Sequence, residues 1–171
     1  VIQAINEMYI KLDIKKFLII SPLTLVENWI REFSKWSPQT KFTKILNSDF
    51  YDHKLIRDKI FTSNGIIVNY EMLDKFNDFL SKENFTFDIL VADEAHRIRK
   101  TNSKTHIEFC RINSLKKWLV TGTPFERNRE DIEGILKALN KDNIAFLNSN
   151  SSDFSIKVAL DERILRRIKK D

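Results

Sequence analysis

Apolar residues along this chain recur with two periods, and the alternation between them outlines the fold. Val1, Ile2, Ile5, Met8, Tyr9 and Leu12 follow helical spacing, so a helix is expected from Val1 to Lys11. Phe17-Leu18-Ile19-Ile20 is an unbroken apolar run of strand length. Val26, Trp29, Ile30, Phe33 and Trp36 then form one face of a helix. Ser21-Pro22 supplies the residue types favoured at its N-cap and first position, and Ser37-Pro38 ends it. A weaker strand follows over Phe42 to Leu46 and a short helix over His53 to Ile60. Gly65 to Asn69 is the next strand, with Asn69 placed to cap a helix carrying Met72, Leu73, Phe76 and Leu80.

Ile89-Leu90-Val91-Ala92, with Asp88 leading in, reads as a strand buried on both faces. Thr101 or Ser103 begins a helix through about Ile112, and Trp118-Leu119-Val120 is a further strand. Thr123-Pro124 repeats the cap-plus-proline pattern, and a helix spans Asp131 to Leu139. Residues Asn140 to Asp153 are rich in Asn, Ser and Asp, as a boundary or surface loop is. Phe154 to Asp171 reads as a helix with Ile164, Leu165 and Ile168 on one side and Arg163, Arg166, Arg167 and Lys170 on the other; such a basic run is most often a solvated face.

Strands alternating with helices predict an α/β fold, a three-layer parallel sheet flanked by helices and joined by right-handed crossovers. Residues 1–140 form the expected lobe, and residues 141–171 a linker and helical extension.

Composition narrows the classes. The chain of 171 residues is 42% hydrophobic and 31% charged, in the globular range. Its net charge of +5 permits a polyanionic partner without requiring one. Cys110 is the single cysteine, so no disulfide forms within the chain, which suits a reducing compartment. No apolar run approaches the roughly 20 residues of a membrane span, and no signal peptide is visible. The chain starts at Val1, inside an apolar pattern, as a piece of a longer protein would.

Candidate chemistry gathers where strands should end. Asp93, Glu94 and His96 follow the central strand directly. In open α/β sheets ligands bind at the carboxyl ends of strands. One acid there can hold a divalent cation through oxygen or water, and its neighbour can orient and deprotonate a water. An acidic turn that keeps a loop wet is the other reading of the same residues. Four turns belong to this edge: Ser21-Pro22, Asn69-Tyr70-Glu71, Asp93 to His96, and Thr121-Gly122-Thr123-Pro124. Helix starts among them would attract phosphate. His53, His96 and His106 lack metal-ligand spacing, which argues against a zinc site. Cys110 and the tryptophans Trp29, Trp36 and Trp118 fit core and packing roles.

In this order the motifs resemble those of Swi/Snf-type ATPases, members of the second helicase superfamily that translocate on double-stranded DNA. Leu18-Ile19-Ile20-Ser21-Pro22 with Leu25, Asn28-Trp29, Glu32-Phe33 and Lys35-Trp36 is similar to motif Ia. Ile67-Val68-Asn69-Tyr70-Glu71 with Leu73 resembles the next DNA-contacting motif. Asp93-Glu94-Ala95-His96-Arg97-Ile98, with Asn102-Ser103-Lys104, resembles motif II, and Leu119 to Pro124, with Asn128 and Glu130, motif III. Leu165-Arg166-Arg167 with Lys169 and Asp171 looks like the segment leading to the second lobe.

The resemblance implies a RecA-like lobe of the P-loop NTPase type and the cofactors ATP and Mg2+. Asp93 would hold the magnesium through water, and Glu94 would activate the attacking water. His96, Thr121, Gly122 and Thr123 would couple nucleotide state to DNA. Ser21, Pro22, Asn69, Tyr70, Arg166 and Arg167 would be the DNA-binding residues, the first four near the DNA backbone and the two arginines on the segment leading towards the second RecA-like lobe. The implied partners are double-stranded DNA, nucleosomes and that second lobe, with no membrane. The implied location is the nucleus in a eukaryote and the cytoplasm otherwise. Chromatin remodelling and DNA repair are the implied processes.

Some positions depart from the family pattern. Phe125, Glu126 and Arg127 follow the motif III proline in place of the usual Ile, Gln and Asn, and Lys100 stands where an Asn is usual. The segment from Pro124 to Leu165 is short for the helical protrusion. No phosphate-binding loop is present: the glycines are Gly65, Gly122 and Gly134, none followed by Lys. The chain by itself is therefore expected neither to bind ATP tightly nor to hydrolyse it. A catalytically dead DNA- or partner-binding module and an RNA helicase lobe remain as alternatives.

Overall fold

The computed structural model describes residues 1–12, 14–122 and 129–139. Five parallel strands form one sheet: β1 (Phe17–Ser21), β2 (Phe42–Lys44), β3 (Gly65–Asn69), β4 (Phe87–Asp93) and β5 (Ser114–Val120), in the order β2-β3-β1-β4-β5. Among the described residues six α-helices accompany them: α1 (Ile2–Leu12), α2 (Val26–Trp36), α3 (His53–Thr62), α4 (Leu73–Glu83), α5 (Lys104–Arg111) and α6 (Arg129–Leu139).

Right-handed crossovers decide which face each helix covers. The step from β1 to β2 runs one way along the sheet, and the steps to β3, β4 and β5 run the other. Helix α2 therefore lies on one face and α3, α4 and α5 on the opposite one. The cores show this partition. Phe17, Ile19, Ile67, Ile89 and Val91 pack with Ile5 of α1 and Val26 and Phe33 of α2. Leu18, Ile20, Ile66, Val68, Leu90 and Ala92 pack with α3 through α6. The strands alternate with period two between these cores. Residues 17–20, 66–68 and 89–92 have 0% exposure, because both faces are covered.

Gly65 starts β3 beneath an aromatic stack. A Cβ there would lie 2.1 Å from the Phe17 ring and 2.7 Å from Phe42. Phe33 and Phe42 stack with ring centres 4.1 Å apart.

Several boundaries differ from the pattern-based expectation. Helix α2 begins at Val26 rather than beside Pro22, and α4 begins at Leu73. Single 3-10 turns, Leu23–Leu25 and Tyr70–Met72, intervene. Ser21 and Asn69 pair in register as the last residues of β1 and β3, so their backbone is committed to the sheet. Pro22 is extended at φ −54°, ψ 143°, and neither turn has a side-chain cap. Strand β5 starts at Ser114, earlier than expected, and β2 stops at Lys44. For the helix after β4, Ser103 is the N-cap, its Oγ accepting from the His106 N–H at 3.2 Å. Among the described residues no helix is long and apolar enough to cross a membrane. The expected turn at Thr123-Pro124, the loop over 140–153 and the helix over 154–171 lie outside the described residues.

Candidate functional site

Parallel register sets the strand ends side by side. Ser21 is opposite Asn69, Ile20 opposite Ala92, and Asp93 opposite Val120. Along one edge the order is therefore Asn69, Ser21, Asp93, Val120. The turns at 21–22, 69–71, 93–96 and 121–122 all leave the sheet there.

Asp93 ends β4, a buried strand that lies between β1 and β5. Period two places it on the face of Ile89 and Val91, the side covered by α2. From α2, the Trp29 indole Nε1–H donates to Asp93 Oδ2 at 2.8 Å. The Glu94 N–H donates to Asp93 Oδ1 at 3.0 Å. From the turn after β3, the Tyr70 hydroxyl donates to the Asp93 carbonyl at 2.6 Å. Three atoms of one residue are thus held by three different segments. Burial, then the negative charge of Asp93, pushes the Tyr70 phenol well above its ordinary pKa, so it stays a donor at neutral pH.

Glu94 has φ 53° and ψ 50°, the left-handed conformation that side-chain-bearing residues rarely take. The cost is on the order of 1 kcal/mol, and such strain collects at functional positions. The next turn, Ala95–Ile98, is what holds it. Ala95 and Ile98 are buried, and the Arg97 N–H donates to Glu94 O at 3.0 Å. His106 on α5 has Nδ1 2.6 Å from Ile98 O; a carbonyl only accepts, so Nδ1 carries the hydrogen. Arg99 pairs with Asp131 of α6 at 3.5 Å. Helix α6 comes so close that a Cβ on Gly134 would lie 1.6 Å from Arg99 O.

His96 Nδ1 is 3.2 Å from Glu94 Oε2, within ion-pair range but without an aligned hydrogen bond. Both side chains are partly exposed, at 42% and 34%. Arg97 joins two turns: its Nη1 donates to Glu71 Oε1 at 2.9 Å, and its guanidinium sits 5.5 Å from the Tyr70 ring centre.

The structure brings Asp93, Glu94 and His96 together at the edge, with Thr121 partly exposed and Gly122 exposed at the end of β5. Ser21 is fully buried, and its Oγ donates to Pro22 O at 3.0 Å. Asn69 is 7% exposed, and its Oδ1 has no partner. Tyr70 is buried with its hydroxyl on Asp93. At this edge the 21–22 and 69–70 turns therefore present mainly backbone and Pro22. Thr123, Arg166 and Arg167 lie outside the described residues. Among the described residues no cluster of three His, Cys, Asp or Glu is arranged to hold a metal alone.

The sequence pattern does not show several of these contacts, among them those of Trp29 and Gly134. Trp29 was assigned to packing, which it also does, with its ring 6.1 Å from that of Phe33. The available signal was that a half-buried indole N–H usually finds an acceptor. Gly134 gave no local sign, since its need for close approach arises from a segment about 35 residues away.

A five-stranded parallel sheet with helices on both faces, and an acidic pair closing a central strand, defines a RecA-like α/β lobe. The chain belongs to the SNF2-related domain family, whose model matches residues 1–170. It is 34% identical over 138 residues to the human DNA repair and recombination protein RAD54B, covering 80% of this chain and 15% of that protein. It is 28% identical to Protein CHROMATIN REMODELING 5 of Arabidopsis thaliana, over 91% of this chain and 10% of that one. Its fold matches the Sulfolobus solfataricus SWI2/SNF2 ATPase core solved in complex with dsDNA, with a TM-score of 0.77 and 22% identity. That match covers 97% of this chain and 36% of the other. The chain thus spans a small fraction of the curated relatives it matches.

Proposed function

We propose that this chain is the first RecA-like lobe of an ATP-dependent translocase on double-stranded DNA, one that remodels chromatin or other protein–DNA complexes. One observation carries the reading: Asp93 and Glu94 close β4 on the same edge as the turns at 21–22 and 69–71. Family membership supports it. The named activities of the relatives in DNA repair and chromatin remodelling supply the process and imply a nuclear setting.

The donor set fits magnesium. Mg2+ prefers hard oxygen ligands, keeps several waters and is commonly bound through one or two carboxylates plus substrate phosphates. Asp93 would hold it, and when bound it neutralises charge on the phosphates. Glu94, partly exposed and held rigidly, accepts the proton of the attacking water. That water's oxygen bonds to the γ-phosphorus, the bond to the β–γ bridging oxygen breaks, and ADP leaves with that electron pair. His96, beside Glu94, and Thr121, Gly122 and Thr123 at the end of β5 relay nucleotide state to the DNA edge. Ser21, Pro22, Asn69 and Tyr70 shape the turns facing the phosphodiester backbone, which is gripped without sequence readout. Arg166 and Arg167 act towards the second lobe.

ATPase assays on the full-length protein that contains this chain test this. Duplex DNA is expected to stimulate turnover, and the stimulation to weaken as salt rises. Stimulation by RNA at least as strong as by duplex DNA would move the chain to the RNA helicases. Absence of turnover with either would make it a binding module.

A further inference from the structure

We infer that Trp29 is a positioning residue for the magnesium-holding carboxylate, with its indole N–H fixing the orientation of Asp93. This rests on the reading of Asp93 proposed above.

An aspartate at a strand end has a soft terminal torsion, so its two oxygens sample a broad range of directions. Here both are pinned. The Glu94 N–H lies 3.0 Å from Oδ1, and the Trp29 Nε1–H lies 2.8 Å from Oδ2. The two donors approach from opposite sides in sequence. One follows Asp93 directly, and the other comes from α2, 64 residues earlier. Each occupies one lone pair on its oxygen, and each oxygen keeps a second for a metal-bound water. A bond from a neutral donor to a carboxylate is short and strong, and it removes the orientational freedom that metal binding would otherwise have to quench.

The placement of Trp29 follows from the architecture. Period two along β4 turns Asp93 towards the α1 and α2 face, and right-handed crossover puts α2 on that face. The Trp29 ring rests beside Phe33, which is 1% exposed and stacked on Phe42, so the indole is anchored in the core at one side. An aromatic residue needed only to fill this space would require no polar atom. A phenylalanine would keep the ring beside Phe33 and leave Asp93 Oδ2 without its donor.

The test is equilibrium binding of a fluorescent, non-hydrolysable ATP analogue to the full-length protein that contains this chain, with millimolar Mg2+ and with EDTA. The ratio of the two affinities isolates the metal's contribution without any turnover. Trp29→Phe is expected to reduce the Mg2+-dependent gain by about tenfold, the scale of one hydrogen bond to a charged group, while leaving the EDTA affinity unchanged. A merely structural role would move both affinities together or neither. Replacing Trp29 with benzothienylalanine, which swaps N–H for sulfur in nearly the same shape, is expected to give the same loss even if the phenylalanine variant folds poorly. Asp93→Asn serves as the control. If it removes the gain and both Trp29 replacements keep it, the positioning role is overturned while the Asp93 reading stands. If Asp93→Asn itself retains the gain, the magnesium reading fails first.

Discussion

The two edges of this sheet are made of the same strands and are built in opposite ways. At the amino edge, polar groups are absorbed by the fold. Asp88 Oδ2 accepts from both the Lys15 and Lys16 N–H at 2.8 Å, tying the entry of β4 to that of β1. The Lys16 ammonium donates to the Ile60, Phe61 and Ser63 carbonyls and so caps the end of α3. At the carboxyl edge, Glu94 sits in a left-handed conformation, Asn69 Oδ1 has no partner and His96 Nδ1 has no aligned one. Ser114 Oγ is the exception at the amino side, unpartnered at the start of β5. Satisfied groups make an edge rigid and inert. Groups held in strained or unpaired states keep capacity for a ligand, and only surrounding structure that over-determines them can hold them so.

The contrast can be broken by substitution, and the largest effect is expected at the carboxyl edge. Glu94→Gln in the full-length protein should lower ATP turnover by roughly 10²–10⁴ while nucleotide binding and thermal stability stay near wild type. Wild-type turnover would remove Glu94 as the base. At the amino edge the pattern should invert. Asp88→Ala leaves two backbone donors without their acceptor and should cost about 1.5–3 kcal/mol in urea unfolding, with no direct effect on nucleotide affinity. A loss of affinity without a loss of stability there would erase the distinction between the edges.

Tyr70→Phe sharpens the comparison with the smallest change. It removes the bond to Asp93 O and should cost about 1 kcal/mol at neutral pH. Its pH dependence identifies the cause. The phenol pKa is raised in the folded chain, so above about pH 10 the unfolded chain releases that proton while the folded chain retains it. That stabilising contribution is complete below pH 10 and declines as pH rises further, and the phenylalanine variant should lack this part of the alkaline decline.

Much of the architecture was legible because burial on both faces leaves an unmistakable record. Ile89 to Ala92, Ile66 to Val68 and Phe17 to Ile20 admit no polar residue, and the strand ends show where that constraint lifts. Strand β5 was under-read for the converse reason. Lys116 and Lys117 interrupt its apolar run, yet Lys117 lies over the Phe109 ring and reaches Ala138 O at 3.1 Å. A long charged side chain can cover apolar surface and still keep its head bonded. Ser21 and Asn69 were misplaced as helix caps because their residue types suit a cap, whereas pairing between β1 and β3 claims their backbone.

The sequence by itself determined the alternation of strands and α-helices among the described residues, the parallel α/β class and the position of an acidic pair at the end of a buried strand. Those follow from periodicity, which each segment carries within itself. Only the tertiary structure decided that Trp29 and Tyr70 both bond to Asp93, that α5 and α6 clamp the turn behind Glu94, and that Gly134 must lack a side chain. The two bonds to Asp93 join residues 64 and 23 positions apart, and they exist because crossover handedness and strand register bring distant segments to one edge.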